Sequence, residues 1–108
     1  MIRFRWYRSG DLFGVRYEME RGDALPEHLH DRASEHNVIV LAGSVALEQP
    51  GARDVGFTGD VLDFDGSKLH TIRCLSQSAT ILNVFLHGMP QGYAELPASE
   101  HQGTLPCR

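Results

Sequence analysis

The sequence predicts an all-β domain, an antiparallel sandwich or barrel, a class of which the double-sheet jelly roll is one member. Three observations predict it. Short runs alternate apolar and polar residues with a period of two, turn-forming residues close each run, and no stretch sustains a helical period. Seven to nine short strands with no helices between them exclude a βαβ sheet and point to a sandwich or barrel.

The elements follow in order. Ile2, Phe4 and Trp6 alternate with Arg3, Arg5 and Tyr7, a strand that can pair with its own sheet or with another subunit. Phe13, Val15, Tyr17 and Met19 alternate with Gly14, Arg16, Glu18 and Glu20, a half-buried strand with one wet face. Arg21-Gly22-Asp23 turns the chain. From Asn37 to Leu47 an apolar run brackets Ala42-Gly43-Ser44, which reads as two strand halves bent or joined at the glycine. Gln49 to Arg53 is a turn by composition, and short strands follow at 54–57, 61–64, 70–75 and 79–87. Tyr17, Phe57 and Phe64 fall at positions expected in the core. Beyond Gly88, prolines and glycines recur too closely for regular structure. The expected organisation is therefore one domain over residues 1–88 and an irregular tail over 89–108.

Composition limits the functional classes. With 108 residues the chain has room for one core. Fourteen acids against ten bases give a formal charge of −4 and a pI near 5.8. That balance disfavours nucleic acid and anionic membrane surfaces as partners and favours a small-molecule ligand. No unbroken apolar run suggests a signal peptide or a membrane span, and two cysteines are too few for a disulfide framework. A reducing, cytoplasmic setting is expected. A chain this short, with an alternating N-terminal strand and open strand edges, is also expected to form a homodimer.

Six histidines against one lysine is the compositional oddity. His28 and His30 are two apart, so on an extended backbone both rings project from one face, within reach of one ion. His36 opens the next strand and shares a face with Val38 and Val40. His70 begins a later strand. Spacing alone fits a solvated cluster as well as a metal site.

The same residues resemble the cupin family. Its first motif runs Gly, five residues, His-x-His, three or four residues, Glu, six residues, Gly. Gly22, five residues, His28-Leu29-His30 matches the opening. Its second motif runs Gly, five residues, Pro-x-Gly, two residues, His, three residues, Asn. Gly59 and His70 match, whereas Asp65, Ser67 and Cys74 stand where the family has Pro, Gly and Asn. The resemblance spans Gly22 to Cys74 and implies the jelly roll and a divalent transition metal. With four residues between them, Glu35, the family's acid, follows His30; with six residues between them, His36 precedes Gly43. Both cannot fill one position. A slip within the strand would turn Val38 and Val40 to the wrong face, whereas the turn 31–34 can absorb an extra residue. The third ligand is therefore taken as His36, with Glu35 in reserve.

The set His28, His30, His36 and His70 is an all-imidazole variant of the family's usual site. Imidazole suits Fe, Ni, Cu, Zn and Co, and Mg and Ca are disfavoured for want of oxygen ligands. Four neutral ligands leave a +2 charge that an anionic ligand can offset. Glu27, Asp31 and Glu35 can orient imidazole N–H groups or simply face solvent. Asn83 and His87 can line a pocket, a polar rim or a dimer contact, and Cys74 a pocket wall or an inert core. The resemblance implies an enzyme on a small organic molecule. Its chemistry would be dioxygenase-like with Fe or Cu, or isomerase- or lyase-like with Zn, Ni or Mn. The alternative is a binding or sensing module without turnover.

Overall fold

The computed structural model describes residues 2–27, 36–63, 67–85 and 102–105. Every element among them is a strand: β1 (Ile2–Ser9), β2 (Leu12–Glu20), β3 (His36–Ala42), β4 (Ser44–Gln49), β5 (Ala52–Phe57), β6 (Val61–Asp63), β7 (Thr71–Cys74), β8 (Ser78–Phe85) and β9 (Gln102–Leu105). They form a six-stranded sheet in the order β6-β3-β8-β2-β1-β9 and a three-stranded sheet in the order β5-β4-β7. All pairings are antiparallel. No described helix is long and apolar enough to cross a membrane.

The alternation read from the sequence decides which residues meet between the sheets. Along β2, Phe13, Val15, Tyr17 and Met19 are buried; along β8, Ala79, Ile81, Asn83 and Phe85. Ile2 and Phe4 of β1 and Val38 and Val40 of β3 complete that inner face. Val45, Leu47, Ile72 and Cys74 of the small sheet, and Leu25 from the β2–β3 connection, close over it. Each large side chain so buried contributes about 1.5–3 kcal/mol relative to exposure. The N-terminal strand joins its own sheet, pairing Phe4 with Tyr17 and Trp6 with Val15.

Gly43 is where the chain leaves one sheet for the other. Its φ is +79°, a conformation that L side chains rarely adopt. A Cβ there would lie 2.2 Å from the Ser78 carbonyl oxygen and 2.9 Å from the Ala79 Cα. The bend between β3 and β4 therefore needs a glycine on two counts, backbone conformation and space.

Two expectations change. Phe57 is 60 % exposed, because the inward position of β5 falls on Gly56. Leu62 packs there, its side-chain carbons 3.1 Å from where a Cβ would sit, so the next residue must turn out. Within the segment read as an irregular tail, Gln102–Leu105 forms β9 and pairs with β1, Ile2 opposite Leu105. Four residues are too few to display a period, and the partner strand supplies the order.

Candidate metal centre

His70 immediately precedes β7 and is 1 % exposed. Its Nδ1 lies 2.7 Å from the Lys68 carbonyl oxygen. A carbonyl only accepts, so Nδ1 carries the proton and donates it. In the neutral ring the lone pair is then on Nε2, which is also buried. That is the arrangement in which an imidazole is oriented and made basic for a metal ion.

The chain entering this end of the molecule is fixed by β7. Ala24 bridges Arg73, the Leu25 N–H donates to the Ile72 carbonyl at 3.0 Å, and the Cys74 N–H donates to the Asp23 carbonyl at 2.8 Å. The buried Thr71 hydroxyl donates to the Leu25 carbonyl oxygen. Residues 23–25 thus run antiparallel along β7 toward His70. Nothing in their side chains announced this; the ties are carbonyls and one hydroxyl. A hollow of about 220 Å³ beside His70 is bordered by Glu27, Glu48, Thr71 and Arg73. Across its wall, Glu48 accepts from Arg73 at 3.2 Å and pairs with Arg53 at 3.5 Å.

His28, His30, Asp31, Glu35 and His87 lie outside the described residues. Of His36 only the backbone is described: it opens β3 opposite Phe85. Among the described residues no three His, Cys, Asp or Glu side chains gather as a metal-holding group. Asn83 is fully buried on the inner face of β8, between Val15 of β2 and Val38 of β3, not on an outer rim. Cys74 sits four strand positions from His70, roughly 13 Å along an extended chain. It belongs to the apolar core, with Sγ 3.3 Å from the Ser76 carbonyl oxygen. Burial pushes its thiol pKa up; the hydrogen bond to Ser76 works the other way and Asp23 adds to the rise. That environment suits a packed, unreactive thiol.

This two-sheet barrel is the architecture of the cupins, and solved structures bear it out. KdgF from Halomonas sp. superposes with a TM-score of 0.71 at 20% identity, covering 82% of this chain and 80% of that one. An RmlC-like cupin protein from Desulfovibrio desulfuricans gives 0.64 at 23% identity, covering 79% and 80%. A protein with a double-stranded β-helix domain from Klebsiella pneumoniae gives 0.66 at 17% identity, covering 76% and 72%. No family model and no curated protein matches the sequence. The chain has the cupin fold.

Proposed function

We propose that this protein holds one divalent transition metal through His28, His30, His36 and His70 and acts as an enzyme on a small organic molecule. The observation that carries the reading is His70, a buried imidazole whose Nδ1 proton is committed to the Lys68 carbonyl, leaving Nε2 as a lone-pair donor. Chain direction supports it. Residues 23–25 run antiparallel along β7 toward His70, and Glu27, the residue before His28 in sequence, borders the hollow beside it. The parity of β3 supports His36 over Glu35, since His36 stands two residues before the buried Val38 and four before the buried Val40.

The donor chemistry fits Fe, Ni, Cu, Zn, Mn or Co. When bound, a redox ion of this group supplies dioxygen chemistry, and a non-redox one supplies Lewis-acid chemistry. The protein's own residues do the rest. Lys68 fixes the ring of His70, and Thr71 anchors the segment that leads to His28. Neutral imidazoles favour a ligand that brings negative charge, such as an organic acid. The protein is read as cytoplasmic and homodimeric.

Elemental analysis of protein purified without added metal tests the site. About one ion per chain is expected, Fe or Cu pointing to oxygen chemistry and Zn, Ni or Mn to isomerase or lyase chemistry. His28→Ala, His30→Ala and His70→Ala should each lose most of the metal and keep a β-type circular dichroism spectrum. Full retention in any one of them overturns the ligand set. Metal at one per chain with ligand binding but no turnover would leave a binding module.

A further inference from the structure

The outer face of the six-stranded sheet carries an apolar centre. Tyr7, Leu12 and Leu41 are 41%, 45% and 46% exposed there. With Leu82 and Val84 they surround a hollow of about 560 Å³ whose floor is Gly14. Exposed apolar surface gathered in one patch, rather than scattered, marks an interaction site.

The strand register maps this face in rows. One row runs Tyr7, Gly14, Val84, Asn37, Asp63; the next runs Arg5, Arg16, Leu82, Ile39, Val61. Basic side chains lie on the β1–β2 half, with Arg3 and Arg16 both against Glu18, at 2.5 and 3.8 Å. The acid Asp63 lies at the β6 edge, and apolar side chains fill the centre. We infer that a second copy of this chain docks on this face, about a two-fold axis lying along the strands between β2 and β8. The inference builds on the homodimer of the preceding reading, makes no use of the metal, and places the contact on the sheet's face instead of a strand edge.

That operation lays β8 over the partner's β2 and β1 over its β3. The Val84 side chain then meets the hollow above the partner's Gly14, a knob opposite a missing side chain, and the exchange is reciprocal as an isologous contact requires. Leu82 meets the aliphatic stem of the partner's Arg16, and Arg5 comes one row and one strand from the partner's Asp63, within an arginine's reach. An axis across the strands would instead set β1 and its arginines against their own copies. The area suffices: six strands of three to nine residues, at ~3.3 Å per residue and ~4.8 Å spacing, present roughly 600 Å² in projection. Side-chain relief brings this near the ~800 Å² per partner of a stable interface.

Gly14 supplies a clean test. A Cβ there meets nothing closer than 3.5 Å, and its φ is not positive, so the single chain accommodates a side chain. Light scattering of the unaltered chain at micromolar concentration should report a particle of twice 12.0 kDa. Gly14→Asp and Leu82→Asp should each raise the dimer dissociation constant by about 100-fold or more, with unchanged circular dichroism. Val55→Lys on the β5 edge should leave the dimer intact. A monomeric unaltered chain overturns both the dimer and its face, and sedimentation of that monomer with phosphatidylglycerol vesicles would give the face to a membrane instead. A dimer that survives both face variants, or that Val55→Lys dissolves, overturns the face alone.

Discussion

Lys68 and His70 are two residues apart, and the contact between them does more for the candidate centre than any side chain nearby. A backbone carbonyl fixes the tautomer, so Lys68→Ala should leave metal occupancy unchanged, whereas His70→Ala should lose most of the metal. The third ligand is decided one residue away from its rival. His36→Ala should strip metal as severely as His28→Ala while Glu35→Ala retains it, measured by metal content after dialysis; the reverse pattern would exchange the two. Free imidazole protonates near ~6.5 and a free carboxylate near ~4.3, so four histidines should release the ion steeply between pH 7 and 5. Cys74 gives a separate pH signature. Its folded pKa is raised by burial, so the unfolded chain ionises first. The stability this group contributes is whole below the ordinary thiol value near ~8.5 and is lost as pH rises toward the folded value. The Cys74→Ala variant should therefore show a flatter fall in stability above about pH 8.5, followed by urea melts, and the native thiol should react with a disulfide reagent far more slowly than the unfolded one.

At the scale of elements, two ties place the site. Gly43 lets β3 and β4 belong to different sheets, and Gly43→Ala should destabilise by more than about 2 kcal/mol, from a disfavoured φ and from overlap with the Ser78 carbonyl. Chemical denaturation measures it, and a loss under 0.5 kcal/mol would show that β8 can yield. The Thr71 hydroxyl ties Leu25 to β7. Thr71→Val keeps the shape and leaves a carbonyl without that donor, at about 1–3 kcal/mol. Because the tied segment leads to His28, metal affinity should fall with stability in this variant. The strands themselves were legible: β2 alternates completely over Phe13–Met19, turn residues bound the run that forms β8, and the glycine at 43 announced the bend. What escaped was set by partners. The four residues of β9 take their order from β1, and Phe57 faces out because Leu62 occupies the space over Gly56.

For the whole molecule, the core is an apolar layer between two sheets, and its stability does not depend on an ion in the way a zinc finger's does. Chelation should lower the melting temperature by the few degrees that ligand linkage gives and leave the β-spectrum intact; unfolding on chelation would contradict an independent core. The period of two and the turn residues by themselves determined an all-β fold, because strand side chains alternate whatever the strand pairs with. The spacing of His28 and His30 and the position of His70 marked the candidate ligands for the same local reason. Only the tertiary structure decided which sheet each strand joins, that His70 is buried with its tautomer fixed, that Cys74 lies some four residues down the strand in the core, and that Leu82 and Val84 face outward beside Gly14. Each of these depends on contacts between residues far apart in sequence, on backbone carbonyls and on the room left by a neighbour, none of which is written in the identity of the residue itself.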